Sequence, residues 1–134
     1  MSNTNDDLRE KLLQRWERFS LEVVSLMRSD PYTLGEADPP HEPGVYVLLD
    51  EEKSVVYVGI AANLNDRLRN KHISGDESHA IQRAFANQFP DRIERRRFIK
   101  ENVRAKWLIV TDPNRAADLE RLLIWLFAPT WNRR

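Results

Sequence analysis

The chain has no cysteine among its 134 residues. Disulfides, thiolate metal ligands and a catalytic thiol are therefore excluded, and any metal ion must be held by oxygen or imidazole groups. There is also no apolar run long enough to cross a bilayer. The opening residues are polar and acidic and lack the apolar core of a secretory signal. A cytoplasmic protein with no membrane partner is the expectation. Net charge is missing as well, since 21 basic side chains balance 21 acidic ones. That balance would ordinarily argue against a nucleic-acid partner.

The charge is segregated, however. Residues 1–52 carry 5 Lys and Arg against 12 Asp and Glu, a balance of −7, while residues 53–134 carry 16 against 9, a balance of +7. Such asymmetry marks either a polyanion-binding half or a chance excess of solvated surface charge. With 41% hydrophobic and 31% charged residues, the composition is that of one soluble globular domain able to bury a core.

From about Asp6 to Arg28, apolar residues recur at Leu8, Leu12, Trp16, Phe19, Val23, Leu26 and Met27. Steps of three and four predict an amphipathic helix, with Thr4 or Asn5 as its N-cap. The stretch Ser29 to Pro43 carries four prolines and a glycine and is expected to exclude regular structure. Residues 1–43 thus form a helix and linker ahead of a domain at 44–134. In that domain Val45–Leu49 and Val55–Ile60 read as a hairpin across a polar five-residue connection. Asn63 can cap a short helix carrying Leu64, Arg67, Leu68 and Lys71. A further helix is expected from about His79 to Phe89, stopped by Pro90. Val103–Val110 reads as a third strand and Arg115–Phe127 as a helix ended by Pro129. Trp107, Trp125 and Trp131 are expected to pack.

Within the hairpin lie Gly44-Val45-Tyr46 and, ten residues on, Tyr57-Val58-Gly59. Alternation puts Tyr46 on one face with Leu48, and Tyr57 beside it on the next strand. Taken singly, each tyrosine is better explained as a good strand former. Glu120 stands out for another reason. Its helix buries a stripe through Leu119, Leu122, Leu123 and Leu126, and at about 100° per residue Glu120 falls on the edge of that face. A carboxylate there is partly desolvated and needs a partner, either a cation or an arginine such as Arg67 or Arg121.

Taken together, these features resemble the GIY-YIG endonuclease family. The two triplets match its name motif, and Asn63-Leu64-Asn65-Asp66-Arg67 reproduces the spacing to its essential arginine. Leu119-Glu120-Arg121-Leu122 followed by Pro129-Thr130-Trp131-Asn132 is similar to its glutamate helix and later proline and asparagine. Ile60 stands where many members carry lysine, and His72 falls one residue later than the usual histidine. The resemblance implies an α/β fold, a small three-stranded, mostly antiparallel sheet flanked by helices. It also implies a divalent-metal-dependent endonuclease that hydrolyses DNA.

In that reading Glu120 holds one Mg²⁺ or Mn²⁺, a hard cation that keeps most of its water. Arg67 clamps the scissile phosphate. A tyrosine accepts the proton of the attacking water, with Tyr46 as base and Tyr57 as its orienting partner, and His72 is an auxiliary. A free phenol has a pKa near ~10, so its surroundings must lower it. Arg69, Lys71, Arg95, Arg96, Arg97 and Asn132 are candidate nucleic-acid contacts, although Asn132 fits better as a residue that holds the site in shape. A non-catalytic binding module of the same fold and a nuclease acting on RNA are the alternatives. The partner is DNA, and targeting would come from a homodimer through the N-terminal helix or from a protein partner.

Overall fold

The structure is a computed structural model, and it describes residues 4–71 and 80–132. Helix α1, Thr4–Arg28, is followed by the short strand β1, Tyr32–Thr33, then β2, Gly44–Leu49, and β3, Val55–Ala61. Next come α2, Leu64–Asp66, which continues as a π-helical stretch Arg67–Lys71, then α3, Ala80–Phe85, and α4, Arg92–Asn102. Strand β4, Arg104–Ile109, and helix α5, Pro113–Phe127, complete the order. The strands form one sheet in the order β1-β4-β2-β3, with every pairing antiparallel. Among the described residues, no helix is long and apolar enough to cross a membrane.

Among the described residues the sheet has four strands where three were expected. The extra one lies in the stretch expected to exclude regular structure. Tyr32 and Thr33 follow Pro31 and keep their own N–H groups, so they pair with Ala105 and Arg104 at the sheet edge. Leu34 N–H then donates to the Val103 carbonyl at 2.9 Å, and Gly35 N–H to that of Lys100 at 2.9 Å. The arginine-dense segment after Pro90 is a helix capped by Asp91, whose carboxylate accepts from the N–H of Ile93 at 2.8 Å. Asp112 caps α5 in the same way, with Pro113 in the first turn.

Strand β2 is central, and all six of its residues are buried. Period-2 alternation therefore feeds two cores. On one face Tyr46 and Leu48 pack with Leu64, Leu68, Ile81 and Ile99. On the other, Val45, Val47 and Leu49 pack with Leu119 and Leu123 of α5 and Leu26 of α1. Gly44 is dictated by the approach of β4, because a Cβ there would lie 2.2 Å from the Leu108 carbonyl oxygen.

The expected stripe of α1 divides in two. Phe19, Val23, Leu26 and Met27 join the second core, whereas Leu8, Leu12 and Trp16 stay 60%, 68% and 51% exposed.

Candidate active site

The β2–β3 register places Tyr46 opposite Gly59 and Leu48 opposite Tyr57. The two tyrosines are therefore diagonal neighbours on one face, with ring centroids 6.1 Å apart and planes tilted by 36°. Gly59 supplies the gap that makes this possible. A Cβ at that position would lie 2.6 Å from both Cζ and the hydroxyl oxygen of Tyr46, and 2.9 Å from Cε2 of Tyr57. The second glycine of the motif is there for the ring of the first tyrosine.

Arg67 reaches the same place from the start of the π-helical stretch that continues α2. Asn63 caps that helix by accepting from the Asp66 N–H at 3.0 Å, and Leu64 and Leu68 are buried beside Tyr46. Between these leucines the half-buried Arg67 projects close enough for its charge to act on Tyr46. The linker locks the helix in place: Asn65 Nδ2 donates to Asp38 Oδ1 at 3.0 Å and to the Pro39 carbonyl at 2.7 Å. This clamp was missed from sequence. The signal for it is an amide at a buried position beside Leu64, where a polar group needs a partner.

Glu120 arrives from the other face. Burial of Leu119 and Leu123 fixes the roll of α5 on the sheet, which leaves Glu120 half-buried along the side of the helix. Burial pushes its carboxyl above the ordinary range, and the nearby Arg121 opposes this. Among the described residues Glu120 forms no salt bridge, so the arginine pair weighed from sequence is not made. No group of three or more His, Asp or Glu that could hold a metal occurs among the described residues. Among the described residues the donor set suits a hydrated oxygen-seeking cation resting on one carboxylate.

The charges of Arg67 and Glu120, together with Tyr57, all act on Tyr46. Its hydroxyl is held well above the usual phenol value, first by burial and then by Tyr57, while Arg67 lowers it and Glu120 raises it slightly. A side-chain hydrogen bond with Tyr57 raises it further, as a bond donated by the neutral hydroxyl does. Tyr46 is also 0% exposed. This setting runs against Tyr46 as the proton acceptor, because a buried hydroxyl held neutral is a poor base. Tyr57 is the half-buried member of the pair.

The candidate nucleic-acid contacts scatter. Arg95 is corrected outright. It is 0% exposed, with Nε donating to Gln82 Oε1 at 2.8 Å and Nη1 to the Phe89 carbonyl at 3.1 Å. Arg96 is half-buried and Arg97 exposed. Consecutive helical residues fan out by about 100°, so three in a row cannot line one phosphate track. Arg69 donates to Asp38 Oδ1 at 3.2 Å and helps hold the linker. Asn132 is committed to the fold, because Oδ1 accepts from the Val58 N–H and Nδ2 donates to the Val58 carbonyl, both at 2.9 Å. With Trp131 N–H donating to the Val56 carbonyl at 2.9 Å, the C-terminal segment covers the open edge of β3. Lys71 closes the π-helical stretch, and His72 lies outside the described residues. Trp131 packs against the first core as expected, but Trp125 is 75% exposed.

Comparison with known proteins adds three findings. A family profile described as the GIY-YIG catalytic domain matches residues 42–134. UvrABC system protein C of Corynebacterium jeikeium is 30% identical over 106 residues, covering 79% of this chain and 14% of that protein. Its counterpart in Legionella pneumophila is 47% identical over 49 residues, covering 37% of this chain and 8% of that protein. The chain thus spans a small part of the length of these relatives. Among solved structures, the GIY-YIG N-terminal endonuclease domain of UvrC from Thermotoga maritima, bound to magnesium, is 25% identical. That match covers 70% of this chain and 86% of that one, with a TM-score of 0.47.

Proposed function

The chain belongs to the GIY-YIG catalytic domain family, and on that premise we propose that it is a divalent-metal-dependent endonuclease that hydrolyses phosphodiester bonds in DNA. The observation that carries this reading is the Tyr46–Tyr57 ring pair, 6.1 Å apart, with Arg67 and Glu120, from two further elements, near enough for their charges to act on Tyr46. Core packing does not require a desolvated carboxylate, an arginine and two phenols at one edge. Phosphodiester hydrolysis requires groups of this kind.

Glu120 would hold Mg²⁺ or Mn²⁺, since burial raises its pKa despite the opposing charge of Arg121 and a bound cation would relieve that cost. When bound, the ion would supply Lewis-acid charge neutralisation at the phosphate. Arg67 grips the scissile phosphate through its planar fork and stabilises charge on the non-bridging oxygens. Tyr57 accepts the proton of the attacking water. Tyr46 donates its hydroxyl hydrogen bond to Tyr57, which orients that ring and stabilises negative charge on its oxygen. Exchanging the roles expected for the two tyrosines reconciles the chemistry with their burial.

Incubation of the protein with supercoiled, linear and branched DNA in Mg²⁺, Mn²⁺ or EDTA tests the proposal. Cleavage in either metal and none in EDTA is expected. DNA binding without cleavage in any metal would favour the non-catalytic module, and cleavage confined to RNA would redirect the substrate.

A further inference from the structure

Two exposed features lie at opposite ends of the molecule and match each other in shape and charge. The first is the outer half of α1. The C-terminal half of the helix is clamped to the sheet and α5: Lys106 Nζ donates to the Met27 carbonyl at 2.6 Å, and Arg115 pairs with Glu22 while its guanidinium lies 4.7 Å from the Phe19 ring centroid. Going from Met27 to Phe19 leads from Lys106 in β4 to Arg115 beyond the end of that strand, so Thr4–Glu17 projects away from the hairpin turn, a reach of roughly 20 Å. On this projecting part Leu8, Leu12 and Trp16 continue the buried stripe with nothing among the described residues over them. At about 100° per residue the stripe is edged by Arg9 on one side and by Arg15 and Lys11 on the other, with Arg18 and Asp7 further round that side. The carboxylates of Asp6, Glu10 and Glu17 fall on the far side.

The second feature is a cleft of about 230 Å³ at the hairpin turn. Phe85, Phe98 and Val103 form its apolar walls, and Asp50, Glu51 and Glu52 form its rim. It is smaller than the usual cofactor or substrate cavity, and room for one or two large side chains is what it offers. Contiguous apolar surface rimmed by one sign of charge marks a protein-interaction site.

We infer that the outer half of α1 docks into the acidic-rimmed cleft of a second copy of this chain. The helix points away from its own cleft, so the contact is intermolecular. Charge decides between this arrangement and a symmetric pairing of two α1 stripes. Antiparallel stripes would set the basic edges of one helix against the basic edges of the other, which is repulsive on both sides. The cleft instead presents the carboxylates of Asp50, Glu51 and Glu52. A contact between unlike surfaces is heterologous, so it propagates head to tail and its mass depends on concentration.

Sedimentation velocity on the full chain over a wide concentration series reads the assembly directly. Glu51→Lys with Glu52→Lys, and separately Arg15→Glu with Arg18→Glu, reverse one surface each. All four positions are exposed, so melting curves should stay unchanged. Each double variant alone should associate at least about tenfold more weakly than wild type, as expected for loss of close charge pairs. Mixing the two should restore association, because every helix then meets a cleft of opposite sign. A wild-type monomer at all concentrations would overturn the inference. So would stronger self-association of Arg15→Glu/Arg18→Glu alone, or a mixture of folded variants that stays monomeric.

Discussion

The edge of the sheet around Gly59 and the arginine-dense helix α4 carry similar kinds of residue to opposite ends. At the edge, a single arginine, Arg67, stands half-buried beside Tyr46 and Tyr57, its charge directed at a phenol. On α4, Arg92, Arg95, Arg96 and Arg97 form the densest basic run of the chain, yet the most central of them is buried and bonded to Gln82 and Phe89. Density of charge along a sequence is therefore a poor map of where a phosphate can sit. Surface potential follows from which way side chains leave their elements.

The largest effect should come from the edge. Glu120→Gln is expected to lower single-turnover cleavage by more than the hundred- to thousandfold that loss of one hydrogen-bond donor costs, on the order of 10³ at least. DNA affinity and fold should survive. Full cleavage with an unchanged metal requirement would remove Glu120 from the site.

Tyrosine substitutions sharpen the roles within the edge. Tyr57→Phe should slow the chemical step by roughly a hundred- to ten-thousandfold, the range for general-base removal. Tyr46→Phe loses only a supporting hydrogen bond worth about 1 kcal/mol and should slow it about tenfold or less. If the two effects come out in the reverse order, Tyr46 is the base after all.

On the other side of the comparison, Arg95→Met should destabilise the protein by about 1–3 kcal/mol, because the Gln82 and Phe89 oxygens lose a buried donor. Cleavage per folded molecule should be unaffected. A rate loss in a variant of normal stability would put Arg95 back on the DNA path.

Glu120 also has a signature without substrate. Burial raises its pKa in the folded protein above that of the unfolded chain, so the native state binds this proton more tightly. The stability it contributes is fully present below the unfolded value near about pH 4 and is lost as pH rises through the raised folded value. Metal-free wild type should therefore show a declining component of Tm across that window, absent in Glu120→Gln. Identical profiles would mean that the carboxylate is solvated.

The smallest effect belongs to exposed Arg97. Arg97→Ala should reduce the slope of log affinity against log salt by no more than about 1, the share of one phosphate contact. A larger change would make α4 a genuine backbone track.

Much of the fold was legible from local rules. Alternation around Tyr46 and Tyr57, the cap Asn63 and the α5 stripe through Leu119 and Leu123 each follow from the few residues that form them, although Leu126, expected on that stripe, is 51% exposed. Glu120 was readable as a desolvated carboxylate because helical geometry alone places it beside an apolar face. What no local rule holds is partner choice across the chain. That Gly59 makes room for the Tyr46 ring depends on strand register, and that Asn132 clasps Val58 depends on how 74 intervening residues fold back. The linker's pairing of Tyr32 and Thr33 with β4, and the burial of Arg95 against Gln82, depend likewise on segments distant in sequence. The sequence by itself determined the hairpin, the main helices and which side chains could do phosphoryl chemistry, because periodicity and capping are local. Only the tertiary structure decided which tyrosine is buried, which arginine faces the site and which half of α1 is left uncovered, because burial is a property of the packed chain.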